Sequence, residues 1–201
     1  MAEINPEISY EKENPKKSRI KMELYDWLQC IVTAIICGVL LFVFVGRTIG
    51  VDGRSMNQTL RDNDRVVISN LFYKPDNGDI IVFRSPSDQF EYPLVKRVIA
   101  KENQTVDIDF TTGDVSVDGI ILTEKYINTP TLIRYDFNGP VTVPKGYVFV
   151  LGDNRNSSTD SRDEVVGLVD TRYVLGKVLF ILIPGPGENG LRDWNRFGTV
   201  A

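Results

Sequence analysis

The chain contains no histidine. That absence removes the Ser-His-Asp triad and the helical HExxH zinc site, since both require an imidazole. Cysteine is scarce as well: Cys30 and Cys37 are the only two, and everything after residue 46 lacks one. A disulfide framework, a cysteine-ligated zinc site and a thiol nucleophile are therefore excluded there, and neither metal nor cofactor is expected. Positive charge is not in excess, with 23 Lys and Arg against 27 Asp and Glu for a net charge of -4. Without a basic face to neutralise phosphates, nucleic acid is not an expected partner. The sequence also lacks internal repeats and low-complexity linkers. What it does have is 201 residues at 42% hydrophobic content, enough for one ordinary domain with an appendage.

The appendage announces itself as "LQCIVTAIICGVLLFVFVG", residues 28–46, a run without a charge. At about 1.5 Å per residue it makes roughly 28 Å of helix, close to the ~30 Å hydrocarbon thickness of a bilayer. A cleavable signal peptide has a shorter apolar region nearer Met1 and ends in small residues, whereas "VFVGRTIGV" follows here. We therefore expect a transmembrane anchor over 25–46, with the lipid bilayer as a partner. Lys16, Lys17, Arg19 and Lys21 precede the run and Arg47 follows it, which places the N-terminus in the cytoplasm for a single-pass protein of the cell membrane. Tyr25 and Trp27 stand where interfacial aromatic anchors belong. Cys30 and Cys37, seven apart, share a helix face as small apolar residues. Residues 1–24 are polar, carry two prolines and mix acids with bases, the composition of a disordered cytoplasmic tail.

From Arg47 the chain changes character. Short β-branched stretches, "DRVVISNLFY", "GDIIVFRSP", "YPLVKRVIA", "TVDIDF", "DVSVDGIIL", "GYVFVLGD" and "GKVLFILIP", alternate with turn signals such as "TTGD", "FNGP" and "VPKG". These read as strands, and no ten-residue amphipathic helical pattern competes with them. The expected fold is mainly β: one N-terminal transmembrane helix followed by a β-rich extracytoplasmic domain over 47–201.

Within "VDGRSMNQTL", residues 51–60, Ser55 raises the question of a nucleophile without its usual base. With histidine absent, a proton acceptor must be a carboxylate, a metal or a neutral lysine. A lysine amine of pKa about 10.4 is almost wholly charged at pH 7, and burial in apolar surroundings is what lowers it. "YPLVKRVIA" supplies such surroundings for Lys96: alternation puts it on one side with Leu94 and Val98, and turns Arg97 to the other, where it is available to pair. Taken alone, the strand favours a solvent-facing Lys96 on a half-buried strand, and Ser55 an ordinary loop hydroxyl.

Read in order, "VDGRSMNQTL", "GDIIVFR", "LVKRVIA" and "VPKGYVFVLGDNRNSSTDSR", behind one N-terminal span, resemble the successive boxes of the type I signal peptidases. These are membrane-bound serine proteases that cleave signal peptides from exported preproteins. The resemblance covers residues 28–184, and "GDNRNSSTDSR" is its most specific part. It implies a signal-peptidase-type catalytic domain in which Ser55 is the nucleophile and Lys96 the general base. It further implies that Ser158 hydrogen-bonds and orients the lysine amine, that Asp160 and Arg162 pair to hold the loop, and that Asp153 faces Arg97. The oxyanion hole would include the backbone N–H of Ser55. Gly53, with no hydroxyl to add, looks like the Gram-positive branch. Val51 and Met56, flanking Ser55, are candidates either to wall the substrate groove or to pack in the core. Cleavage after small residues in an Ala-X-Ala pattern is the specificity implied.

Two departures stand out. Gln58 occupies the position of the usual Pro after the nucleophile, and Ala100 to Gln104, "AKENQ", replaces the family's "GLPGD"; neither removes a chemical group. Two other readings share features with this chain: a membrane-anchored β-domain that binds exported peptides without cutting them, and a self-cleaving Ser-Lys repressor. The second needs a DNA-binding helix pair where this chain has a tail and an apolar run.

Overall fold

The computed structural model describes residues 15–87, 89–187 and 190–200, and the chain divides into two compact units, Met1–Val43 and Phe44–Ala201. The first is dominated by one helix, α1 (Pro15–Val45). It starts at a proline, whose missing N–H costs nothing at a helix N-terminus. Residues 15–24, expected as disordered tail, are therefore helical. The chain after Pro15 carries no further proline until Pro75 and is rich in helix formers up to the apolar run, so nothing stops the helix from extending upstream of it. The rest of the expected tail, residues 1–14, lies outside the described residues. Lys21–Leu40 has a mean hydropathy of 1.5 and is long and apolar enough to cross a membrane. Its side chains, Cys30 and Cys37 included, are exposed.

The second unit is built from β1 (Arg47–Gly50), β2 (Arg65–Ser69), β3 (Ile80–Phe83), β4 (Leu94–Lys101), β5 (Thr105–Asp109), β6 (Asp114–Val117), β7 (Ile120–Ile121), β8 (Val141–Thr142), β9 (Tyr147–Leu151), β10 (Val169–Asp170), β11 (Val174–Ile183) and β12 (Gly198–Thr199). The protein is thus mainly β, as expected. Each β-branched stretch picked out in the sequence contains a strand. The strands it missed, β1, β8, β10 and β12, are two to four residues long, too short to show an alternation.

The larger sheet runs β1-β2-β11-β3-β4-β9-β10, with β12 on β11; the smaller runs β7-β6-β5-β8. In β5 the apolar alternation is plain, Val106 and Ile108 buried while Asp107 and Asp109 are exposed, so one face lies on a core and the other meets water. β3 is buried at all four positions because both its faces are covered. Ile80 and Val82 join a cluster with Met56, Leu60 and Val95, whereas Ile81 and Phe83 join one with Val98, Val148 and Val150. A third cluster, under the small sheet, centres on Phe137, whose ring stands edge-on to Phe110 and Phe149.

Candidate active site

β4 lies between β3 and β9 in the large sheet. Lys96 sits opposite Ile81, with Val95 opposite Val82. The strand therefore carries Lys96 on the face of Leu94 and Val98, and Arg97 on the other, as alternation requires. Both faces are covered: Lys96 and Arg97 are each 3% exposed, so Arg97 finds its partner inside the protein rather than in solvent. β9 ends at Leu151, and the chain that follows crosses beside Lys96.

Ser55 arrives from the loop between β1 and β2. Val51 donates its N–H to the Asp64 carbonyl, and Asn63 donates to Val51, at 2.8 and 2.9 Å, pinching the loop shut. Inside it the Asn57 N–H bonds back to the Arg54 carbonyl and the Leu60 N–H to that of Met56. Val51 and Met56, candidates to wall a substrate groove, are instead 5% and 1% exposed and belong to the core; their apolar side chains anchor the segment from beneath. Gly53 lies at φ +92, with its N–H held by the Asp62 carboxylate at 2.9 Å. A Cβ built there meets nothing within 4 Å, so its face is open.

These two elements meet at Ser55 and Lys96: Lys96 Nζ lies 2.8 Å from Ser55 Oγ and 3.1 Å from the Val95 carbonyl. Burial pushes the lysine down to about 8, while Asp160 and Asp153 pull it part of the way back. Their pull is limited because each carboxylate already has its own cation. Asp153 accepts from Arg97 Nε and Nη2, both at 2.8 Å, and from the Thr59 hydroxyl. Asp160 accepts from Arg162 Nε at 2.8 Å and Nη2 at 2.9 Å. Both pairings match the sequence expectation.

Ser158 departs from expectation. Its side chain is buried against Gly152, and its hydroxyl has no hydrogen-bond partner among the described residues. The lysine amine turns instead to Ser55 and the Val95 carbonyl. The site is nonetheless tightly drawn together: a Cβ on Gly152 would sit 2.2 Å from Ser158 Oγ and 2.6 Å from the Ser55 carbonyl. Only glycine lets the loop after β9 approach Ser55 this closely.

Residues that carried no assigned role in the sequence complete the shell. Arg155, fully buried, donates to the Gly152 carbonyl and to Thr131, and forms an ion pair with Glu124. The Arg97 guanidinium lies 3.9 Å from the ring centre of Tyr126. Arg162 also donates to the Arg155 and Ile133 carbonyls. Arg155 stood inside the most specific motif and was visible there; Glu124, Tyr126 and Thr131 sit in loops that offer no signal. Three guanidiniums and three carboxylates thus cancel around the lysine.

A buried lysine with its pKa lowered to about 8, 2.8 Å from a serine hydroxyl on a neighbouring loop, is an arrangement that can support serine-protease chemistry without histidine. The profile of the family "Signal peptidase, peptidase S26" matches residues 24–183. The chain belongs to the peptidase S26 family of signal peptidases. Among its relatives, the Synechocystis protein named "Probable signal peptidase I-2" is 34% identical over 198 residues, covering 93% of this chain and 84% of the relative. A "Signal peptidase I" of Bacillus licheniformis is 32% identical over 180 residues, 84% of this chain and 94% of that one. A solved signal peptidase I from Enterococcus faecalis, 32% identical, covers 52% of this chain and 97% of its own, with a TM-score of 0.43. As an S26 peptidase the protein is a serine protease, a hydrolase of peptide bonds.

Proposed function

We propose that this S26 peptidase removes N-terminal signal peptides from exported preproteins after small residues of the Ala-X-Ala type, with Ser55 as nucleophile and Lys96 as general base. The observation that carries the reading is the 2.8 Å approach of the buried Lys96 amine to Ser55 Oγ. As Oγ attacks the scissile carbonyl carbon, its proton passes to neutral Lys96, and the carbonyl oxygen becomes an oxyanion facing the Ser55 N–H. Collapse of the tetrahedral species breaks the C–N bond, and protonated Lys96 gives its proton to the leaving amine. Lys96 then takes a proton from water as the water attacks the ester, and returns it to Ser55 Oγ as the acid departs. The exposed, open-faced turn at Gly53 suits an extended peptide laid across the site, with main-chain bonds supplying affinity.

The apolar stretch Lys21–Leu40 supports a single-pass anchor in the cell membrane, and the basic residues before it support a cytoplasmic N-terminus with residues 47–201 outside. The test incubates the full-length, detergent-solubilised protein with one preprotein and sequences the product's N-terminus. A new terminus just after an Ala-X-Ala site is expected, lost in Ser55→Ala. Cleavage by the alanine variant at the wild-type rate would sink the assignment.

A further inference from the structure

Ser55 presents its N–H as the oxyanion donor only if the peptide joining it to Arg54 is held in one orientation. That peptide is trans, so its carbonyl and its N–H point in opposite directions in one plane. Whatever grips the Arg54 carbonyl therefore aims the Ser55 N–H. Two donors grip it: the Asn57 N–H at 3.1 Å and the Asn154 side-chain Nδ2 at 3.0 Å, which use both lone pairs of the oxygen. Asn154 also donates its own N–H to the Ser55 carbonyl at 2.9 Å, so this one residue braces the peptide on each side of the nucleophile. The Ser55 N–H itself has no acceptor among the described residues, as a donor reserved for a transient charge should not.

Resting on the reading of Ser55 and Lys96 given above, we infer that Asn154 is the positioning residue of the oxyanion hole: its side chain, through the Arg54 carbonyl, sets the direction of the Ser55 N–H. Asn154 touches neither the lysine amine nor the Ser55 hydroxyl by any hydrogen bond, so its influence falls on the oxyanion and not on the base. Both grips come from outside the turn's apolar anchors, Val51 and Met56, which remain in place when the side chain is cut back.

The experiment compares full-length wild type, Asn154→Ala and Asn154→Asp in detergent. Three probes are used: a peptide with an Ala-X-Ala site, an uncleavable analogue of it, and the matching peptide boronic acid. Ser55 Oγ adds to the boron while its proton goes to Lys96, giving a tetrahedral anion that resembles the oxyanion intermediate. Both variants should lose about 10- to 100-fold in kcat, below the 10²–10³ of deleting an oxyanion donor outright. KM and affinity for the uncleavable peptide should stay within about twofold, boronate affinity should fall in step with kcat, and in Asn154→Ala the pH midpoint of activity should not move; the new carboxylate of Asn154→Asp should raise it. Aspartate keeps the shape of asparagine but turns an acceptor towards the Arg54 carbonyl, so it should not rescue. Rescue by aspartate, a kcat within about threefold of wild type in both variants, or parallel losses for uncleavable peptide and boronate would each overturn the inference. Ser55→Ala runs alongside: if it cleaves, the assignment of the nucleophile fails; if it is inactive while both Asn154 variants keep full rate, only the role of Asn154 fails.

Discussion

Lys96 carries the cost of the chemistry at the scale of a single residue. Its amine is lowered from its ordinary value to about 8 by burial, a shift that corresponds to about 3 kcal/mol against the charged form. Below about pH 8 both the folded and the unfolded chain hold this proton, so the whole penalty weighs on folding. Between about 8 and the unfolded value near 10.4 the unfolded chain binds the proton and the folded chain does not, so stability rises with pH; above that range the penalty is gone. Lys96→Met, similar in length and apolar, should therefore abolish cleavage yet stabilise the protein at pH 7 by up to about 3 kcal/mol. The difference should vanish as pH climbs past 10. Unfolding curves of both proteins from pH 6 to 11 make the comparison, and a Met variant destabilised at pH 7 would mark Lys96 as a charged structural residue. In the wild type, activity should rise through about pH 8 as the base becomes neutral.

At the scale of elements, the segment that returns from Ser55 to β2 is held by the far end of the chain. Asp64 is fully buried; it caps the Arg61 N–H, accepts from the Gly185 N–H at 2.6 Å, and pairs with both terminal nitrogens of Arg196. Arg196 also reaches the Thr59 carbonyl. Gly185 is pressed so close that a Cβ would lie 2.1 Å from the Asp62 carbonyl. Removing Arg196 strands a buried carboxylate, so Arg196→Ala should cost about 3 kcal/mol or more, whereas joint replacement by Arg196→Met and Asp64→Asn should recover only part of that loss, because the amide NH2 then faces one of the two backbone N–H donors that Asp64 accepts. Denaturant titration reads both, and a single variant within about 0.5 kcal/mol of wild type would show that the ion pair does not hold the segment. The sequence offered no sign of this contact, because its partners stand 132 residues apart.

For the whole molecule, the proposed arrangement is a single anchor with the peptidase outside. Protease added to intact spheroplasts should digest the body after residue 47 and spare the N-terminal tail, as read by tags at the two ends. Protection of the body with loss of the tail would invert the topology. The same arrangement gives the position of Arg47 a meaning: β1 begins there, so the apolar helix and the catalytic sheet are separated in sequence by Gly46 alone.

Local chemistry was legible in the one-dimensional text. The charge-free run, the β-branched stretches between turn residues and the missing histidine are readable directly from the sequence; they pointed to an apolar helix and a mainly β body and excluded an imidazole base, while the lysine base came from the family resemblance. The pairs Asp153 with Arg97 and Asp160 with Arg162 came from the resemblance, and the geometry agrees with them. Only tertiary structure decided the rest, because burial and hydrogen bonding depend on what the far chain brings. Val51 and Met56 turned inward because a core cluster covers them. The Lys96 amine chose Ser55 and a backbone carbonyl over Ser158. Asn154, silent as one polar residue among several, became a brace because the end of β9 delivers it to the carbonyl of Arg54, 100 residues earlier.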